Sequence, residues 1–469
     1  MNQIRLSSFF IALFLFNSVF AQDKNELSQR LNLNECIKLS LENNNQYKAS
    51  ISSIEAAFQR TRQAASAHYP KLSLNSAVTM NDEPPTYIAP PMSVQTPAIN
   101  LGVFSVPSLQ FEVPSQLIKM ADKVNFQAQV DMVYPIFTGG KITSIINQAE
   151  AGLEIARQES QASKARIIYE TKKLYYACIL SANLESIAQE TLERLSSTLN
   201  ITESLYKSGS TKVTKIEYLK NKTMVDLISS VLSGIKGERK IAEAALANAI
   251  GFEWNKKVTT ADEIIQLNQN TESLESLVAL LLERNPVIKK VDQGLNVFQE
   301  KIDEAKSDLY PSLALIGMYR GTYNNYEYGT ITQENKHIWM MGLGLSMNLF
   351  DGFRNYSKID EAKTNVTVMS EQKEALRKGL TLKLQALYLK MQSNQERETH
   401  NKDALKSAEE NRALIEKAYL NDIKELEDVL TAQLTEAMLK AQYQIQRFEY
   451  ADVEAQLSEL IFIDDNTIN

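Results

Sequence analysis

The amino-acid sequence predicts a mainly α-helical protein that is internally duplicated and carries four β-strands with lipid-compatible faces. Three observations predict this fold class. Two stretches of helical apolar spacing, 139–207 and 353–419, are far longer than ordinary globular helices. Each stretch follows a segment in which large apolar side chains alternate with small or polar ones, as in a strand with one apolar face. Landmarks of the first half also recur in the second half, which indicates an internal repeat.

The first 21 residues have the features of a cleaved secretory signal peptide. Arg5 supplies the positive charge, and Phe9–Phe16 forms a short apolar run. Val19 and Ala21 are the small residues expected before a cleavage site. A membrane anchor is the alternative, but the run is too short to span a bilayer. Because no later stretch is long and apolar enough either, a membrane protein with this sequence would have to be a β-barrel.

Four segments have the alternating pattern of strands, and they form two pairs. The first pair covers about 70–80 and 124–137, and the second pair covers about 311–324 and 337–350. The strand at 124–137 is long enough for a tilted bilayer crossing. An amphipathic hairpin in a soluble sandwich is the alternative. The proline-rich segment 81–123 lacks clear periodicity, so we expect a long, partly ordered loop there.

Each strand pair leads into a long helix and a shorter returning helix. Gly139–Gly140 and Asp351–Gly352 form the two strand-to-helix corners, because glycine permits a turn and aspartate can cap a helix. At 1.5 Å per residue, each long helix is a rod of about 100 Å that needs helical neighbours along its apolar stripe. The chain reverses at Ser208–Ser210 and at about Leu420–Asp422.

The repeated landmarks define the domain organisation. Glu283–Pro286 matches Glu42–Asn45, and Tyr310–Pro311 matches Tyr69–Pro70 at the same offset. The two halves differ mainly in the loop between paired strands, where insertions are tolerated. The predicted parts are a signal peptide (1–21), a first structural repeat (22–250), an irregular equatorial connector (251–273), a second structural repeat (274–462) and a flexible C-terminal tail (463–469).

Four strands in one chain are too few to close a barrel. An open sheet edge cannot lie in lipid, because its backbone N–H and C=O groups would have no partners. The smallest known barrels need about eight strands. If the strands lie in a membrane, at least two identical chains must therefore pool them. Both strand pairs start from and return to the helical side, so all helices would lie on one side of the membrane.

In their order and spacing, these features resemble the TolC-like outer-membrane efflux protein family over about 31–462. The matching stretches are LNLNECIKLSLENNNQYKAS, the two Tyr-Pro helix exits, YPIFTGGK, NLFDGFRN and the helix reversals. Thr138 and Asn348 depart from the family pattern, which usually has an acid at the first of these positions and a proline at the second.

The resemblance implies a homotrimer in the outer membrane of a Gram-negative bacterium, with a twelve-stranded barrel on a periplasmic tunnel of twelve helices. It implies a channel that passes small molecules or proteins from the periplasm to the exterior, within a tripartite efflux or type I secretion system. The implied partners are a periplasmic adaptor (a membrane fusion protein) and an inner-membrane pump driven by protons or by ATP. The exported substrate and the pump class stay open.

The resemblance also implies roles for the two helix reversals. In the family the reversals carry Tyr-x-x-Gly and meet the adaptor; Tyr206–Gly209 keeps this pattern, and Tyr419–Asp422 lacks the glycine. The implied tip residues are Tyr206, Gly209, Ser210, Asn421 and Asp422. The segment KELEDVLTAQ resembles the family's gate, and this implies a periplasmic gate formed by Tyr419, Lys424 and Asp428. A threefold ring of carboxylates at a constriction would favour cations. Ordinary solvated helix residues are the alternative.

The sequence offers no catalytic or cofactor-binding constellation. It lacks Walker, GxSxG and HExxH motifs, and His68, His337 and His400 have no partner at metal-ligand spacing. The formal net charge of −7 gives no basic surface for nucleic acid. We therefore expect no enzyme activity, cofactor or metal. Two hypotheses remain: an outer-membrane exit duct, and a secreted or periplasmic structural coiled-coil protein without channel activity.

Overall fold

The computed structural model describes residues 29–84, 86–120, 123–210, 213–267, 272–324, 336–421 and 423–462. The predicted signal peptide and C-terminal tail lie outside these residues. The strands are β1 (Gln29–Leu31), β2 (Lys71–Met80), β3 (Thr86–Ala89), β4 (Met92–Gln95), β5 (Ile99–Asn100), β6 (Ser105–Val106), β7 (Gln110–Val113), β8 (Gln116–Lys119), β9 (Val124–Phe137), β10 (Val258–Thr260), β11 (Ser312–Asn324) and β12 (His337–Ser346). The helices are α1 (Leu33–Asn43), α2 (Asn45–Ala65), α3 (Lys141–Lys207), α4 (Lys215–Ala249), α5 (Leu274–Arg284), α6 (Pro286–Ser307), α7 (Arg354–Leu420) and α8 (Leu426–Ile461).

The chain forms two compact units, each built from three separate segments. Unit 1 comprises Met1–Asn44, Ile167–Thr271 and Leu387–Glu459. Unit 2 comprises Asn45–Arg166, Glu272–Ala386 and Leu460–Asn469. The mainly helical fold is confirmed, and α3 and α7 have 67 residues each. No helix in the described ranges combines the length and hydropathy that a membrane-crossing helix requires.

Local capping chemistry explains where several helices begin. Asn32 and Glu35 form a capping box at the start of α1, in which each side chain accepts a hydrogen bond from the backbone amide of the other at 2.9 Å. At the start of α6 the side-chain oxygen of Asn285 accepts hydrogen bonds from the next free amides, and Pro286 occupies the first helical position. These short-range signals are readable in the sequence.

Unit 2 contains a four-stranded antiparallel sheet with the order β12-β11-β9-β2. A bulge interrupts the β9–β11 ladder beside Pro135, which has no N–H to donate. β12 ends at Ser346, earlier than the predicted 350, because its partner β11 begins only at Ser312, directly after Pro311. The edge strands expose rows of large apolar side chains, which include Leu72, Leu74, Val78, Met80, Trp339, Met341, Leu343 and Leu345.

The expected loop between β2 and β9 is instead largely a β-hairpin. Three short antiparallel ladders join β3 to β8, β4 to β7 and β5 to β6. Prolines separate these ladders, so the alternation within each of them is too short to stand out in the sequence. Residues 86–119 are named the arm below.

The core of unit 1 surrounds a two-stranded parallel ladder. The predicted irregular connector contributes to it, because Val258–Thr260 pairs with Gln29–Leu31. The buried side chains around this ladder include Leu31, Cys36, Tyr175, Cys178, Ile179, Leu246, Ile250 and Ile265. Cys36 and Cys178 are free thiols, and burial raises the pKa of each to about 12, so both stay protonated.

Candidate functional site

The first helix reversal in unit 1 is a Schellman motif closed by Gly209. The amide of Ser210 donates to the carbonyl of Leu205 at 3.1 Å, and the amide of Gly209 donates to the carbonyl of Tyr206 at 3.1 Å. Gly209 has φ = 71°, a left-handed conformation that other residues adopt only at a cost. The Tyr-x-x-Gly pattern thus supplies a helix stop as well as an aromatic side chain.

The returning helix α4 starts with its own capping box and an aromatic stack. The amide of Glu217 donates to the Thr214 hydroxyl at 3.2 Å, and the amide of Thr214 donates to the Glu217 carboxylate at 2.6 Å. The rings of Tyr206 and Tyr218 stack across the reversal, with centroids 5.4 Å apart. The predicted tip residues Tyr206, Gly209 and Ser210 therefore lie together in one ordered turn.

The second reversal closes without glycine. The amide of Ile423 donates to the carbonyl of Ala418 at 2.9 Å, and the amide of Asn421 donates to the same carbonyl at 3.2 Å. The side-chain amide of Asn421 donates to the carbonyl of Lys417 at 2.8 Å, which satisfies another terminal acceptor of α7. Asp422, the remaining predicted tip residue, lies outside the described residues. Leu420 and Ile423 are exposed apolar side chains on either side of it.

Two of the predicted gate residues contact each other at the start of α8. The ammonium of Lys424 lies 3.4 Å from the carboxylate of Asp428, and both side chains are partly exposed. The backbone amide of Glu425 donates to the same Asp428 oxygen at 3.3 Å. Asp428 therefore helps to cap its own helix within one chain, whether or not it also faces a pore.

Tyr419, the third predicted gate residue, packs beside an apolar cluster in unit 1. The buried members of this cluster are Leu195, Leu426 and Leu430, and partly buried residues of α4 and α8 pack against them. An ion pair between Lys220 of α4 and Glu427 of α8, 2.7 Å long, connects the same helices at the surface. The two reversals are thereby linked through both apolar and charged contacts.

The structure contains a buried charge cluster, centred on Glu436, that the sequence analysis did not predict. The Glu436 side chain is only 1% exposed and contacts the cations of Arg194, Arg412 and Lys440. Nη1 of Arg194 donates to both Glu436 oxygens at 3.2 Å, and Nζ of Lys440 lies 2.8 Å away. Burial opposes ionisation, but hydrogen bonds from Lys440 and Arg194 outweigh it and hold the pKa of Glu436 below its usual range.

This cluster connects three helices of unit 1. Arg194 belongs to α3, Arg412 to α7, and both Glu436 and Lys440 to α8. Arg412 also binds Glu416 at 2.6 Å. A cavity of about 480 Å³ opens beside the cluster between the same three helices. The sequence signal was present but weak: Val429, Gln433, Glu436 and Lys440 follow one another at helical spacing along α8.

In unit 2, the two predicted strand-to-helix corners converge on Asp308, which the sequence did not single out. Its carboxylate lies 3.1 Å from Lys141 at the start of α3 and 2.6 Å from Lys358 in α7. The hydrogen bond from Lys358, aided by that from Lys141, lowers the pKa of Asp308 against the effect of burial. The side-chain amide of Asn355 also donates to the Asp308 carbonyl at 3.3 Å.

The corner glycines adopt the conformations that the turns require. Gly139, Gly140 and Gly352 have φ values of 63°, 91° and 69°. A Cβ on Gly139 would lie 2.8 Å from Cβ of Tyr310, so this position also needs a small residue for packing. The carboxylate of Asp351 accepts a hydrogen bond from the amide of Asn355 at 3.0 Å and caps α7.

Known proteins resemble this chain in sequence profile and in fold. A sequence profile of a family described as outer membrane efflux protein matches residues 36–252 and 277–461. No curated protein matches the chain. The chain is 15% identical to the CmeC outer membrane channel of Campylobacter jejuni, with a TM-score of 0.73 over 98% of this chain and 94% of that one.

Two further solved structures share the fold. VceC, an outer membrane protein of Vibrio cholerae, is 16% identical with a TM-score of 0.71, over 92% of this chain and 95% of that one. The MtrE outer membrane channel of Neisseria gonorrhoeae, in its open state, is 13% identical with a TM-score of 0.70, over 92% of this chain and 88% of that one. At these identities, the structural matches establish the fold alone.

Proposed function

Because the chain belongs to the outer membrane efflux protein family, we propose that it is the outer-membrane exit duct of a tripartite efflux or type I secretion system. The observation that carries the proposal is the four-stranded sheet of unit 2. No other described strand pairs with its edge strands β2 and β12, and both expose rows of large apolar side chains. Such a surface is stable where lipid covers the apolar face and other strands complete the edges.

We propose a homotrimer, in which three sheets close into a twelve-stranded barrel. Four strands from one chain are too few for closure, whereas twelve exceed the minimum of about eight. β9 has 14 residues, which is enough for a tilted crossing of the hydrocarbon layer. The structural repeats 22–250 and 274–462 would supply two strands and two tunnel helices each, so that three chains also give a tunnel of twelve helices.

With the signal peptide 1–21 removed, the helices would lie in the periplasm of a Gram-negative bacterium. Tyr206, Gly209, Ser210, Asn421 and Asp422 would form the tips that meet a periplasmic adaptor. Tyr419, Lys424 and Asp428 would form the gate. The inner-membrane pump would supply the energy, driven by protons or by ATP, and the cargo would be small molecules or proteins.

Membrane extraction and conductance test this proposal together. We expect the mature protein to leave the membrane fraction only with detergent, to behave as three copies in light scattering, and to form conducting pores in planar bilayers. Release by salt or alkali, together with a water-soluble monomer, would contradict the proposal and favour a structural coiled-coil protein.

A further inference from the structure

The arm, residues 86–119, is one continuous hairpin in register. Thr86 pairs with Lys119, Met92 with Val113, and Ile99 with Val106. From the base of the hairpin to its tip, the two strands advance by equal numbers of residues between one ladder and the next, so the same register holds throughout. At the tip the amide of Leu101 donates to the carbonyl of Phe104 at 2.9 Å, and Gly102 supplies the positive φ of 81° that this tight turn requires.

Prolines lie at the breaks between the ladders of the arm, on both of its strands. Pro90, Pro91 and Pro114 separate the basal ladder from the central one, and Pro97 and Pro107 separate the central ladder from the distal one. A proline cannot donate a backbone hydrogen bond, and it blocks strand addition along an edge. The edges of the arm are therefore protected, and any partner must contact one of its faces.

The central ladder has one apolar face and one polar face. Met92, Val94, Phe111 and Val113 share the first face, and Ser93, Gln95, Gln110 and Glu112 share the second. The four apolar side chains are between 39% and 64% exposed in a single chain. An isolated two-stranded hairpin is marginally stable in water, so this face needs a cover.

The chemistry of the arm indicates that the cover is protein. Glu112 is the only charged residue between Thr86 and Ile118, which leaves little charge repulsion between copies. The arm also begins beyond the end of the β2–β9 ladder, whose ten residue pairs already match a tilted bilayer crossing. If that ladder spans the membrane, the arm lies outside the hydrocarbon layer, where lipid tails cannot reach its apolar face.

We propose that the apolar faces of the central ladders in the arms of neighbouring copies of this chain pack against one another above the sheet. The inference rests on the proposed homotrimer, because the arm continues from β2, the edge strand at which the next copy would join. In the trimer the three identical faces turn toward the threefold axis, with Val94 and Phe111 at the centre of the contact. The polar face with Glu112 remains in water.

Cysteine cross-linking in the full-length protein tests this contact. Val94→Cys places a thiol on the apolar face, and the matched control Gln95→Cys places one on the polar face of the same strand. Val113→Cys and Glu112→Cys form a second such pair on the opposite strand. The native thiols of Cys36 and Cys178 are buried, so the amount of disulfide-linked dimer formed by the unsubstituted protein gives the background. Mild oxidation of intact membranes is followed by denaturing electrophoresis without reductant.

We expect several-fold more disulfide-linked dimer from each apolar-face variant than from its polar-face control. Equal yields from the two faces, in samples that still contain trimer by native electrophoresis, would overturn the inference and leave the proposed function intact. Absence of a trimer in the unsubstituted protein would overturn both the inference and the proposed function. A fluorophore at position 94 that is quenched by brominated lipid would show that lipid covers the face, and would also overturn the inference.

Discussion

At the scale of single residues, the almost fully buried carboxylate of Glu436 contacts three cations whose side chains are partly exposed. Replacing Glu436 by Gln keeps the shape of the side chain but leaves the cations without their shared partner. We expect a loss of about 2 kcal/mol in the free energy of unfolding, because the charge-assisted hydrogen bonds to this buried carboxylate are lost, while each cation keeps another carboxylate partner. Thermal loss of helix, followed by circular dichroism in detergent, measures this effect.

The matched control for this substitution is Glu427→Gln. Glu427 forms an ion pair with Lys220 at the surface, where solvent screens the interaction. We therefore expect a much smaller shift of the thermal midpoint than that of Glu436→Gln. Equal shifts in the two variants would show that the buried cluster contributes no more than a surface pair.

The pH dependence of stability provides a second test of Glu436. Its pKa is lowered in the folded protein, so the stability it contributes is fully present above the unfolded-state pKa of about 4.3 and is lost as pH falls through the folded-state pKa. We expect the difference in thermal midpoint between the unsubstituted protein and Glu436→Gln to be constant from about pH 8 to pH 6. The difference should narrow below about pH 4. A constant difference in acid would contradict this assignment.

At the scale of elements, glycine ends two helices, and at only one of these ends does packing also require it. Gly209 and Gly251 both have positive φ, so an alanine at either position costs about 1–2 kcal/mol in backbone strain. At Gly209 an added Cβ meets open space, whereas at Gly251 it would lie 2.2 Å from Cβ of Asn43. We expect Gly251→Ala to lower the thermal midpoint clearly more than Gly209→Ala. Similar shifts would mean that α1 yields without cost at this contact.

The elements that the sequence predicted are those specified by nearby residues. The start of α1 is specified locally, because Asn32 and Glu35 are three residues apart and form a capping box. The β1–β10 ladder was not predicted, because three-residue strands far apart in sequence carry no periodic signal. The arm was missed because its prolines interrupt the alternation that identifies a strand.

In the candidate site, too, the features that could be predicted are those formed by residues close in sequence. The capped reversal at Gly209 and the Lys424–Asp428 pair both arise from residues close in sequence. The cluster around Glu436 joins residues of three helices, and no local pattern in one helix reveals which side chains on another will face it. Asp308 was missed for the same reason, since its two lysine partners begin different helices.

At the scale of the whole molecule, one chain displays a sheet that it does not complete. The edge strands β2 and β12 leave backbone groups and apolar side chains that a single copy cannot satisfy in lipid. The order of two long strands, a long helix and a shorter helix occurs twice along the chain, at β2, β9, α3 and α4 and again at β11, β12, α7 and α8. The family match confirms the resemblance to TolC-like proteins, and the proposed homotrimer takes its number of copies from that resemblance, because periodicity alone does not give it.

The proposed gate yields a prediction for the assembled channel, because capping and gating by Asp428 respond differently to two substitutions. Asn can accept the hydrogen bond that the amide of Glu425 donates, but it carries no charge; Ala does neither. If Asp428 forms a carboxylate ring, Asp428→Asn and Asp428→Ala should both weaken block by divalent cations and raise leak conductance in planar bilayers. If Asp428 only caps α8, the Ala variant should lose up to about 1 kcal/mol in stability, and the Asn variant should conduct like the unsubstituted channel. Unchanged currents of the Asn variant across a range of divalent concentrations would therefore contradict the gate role.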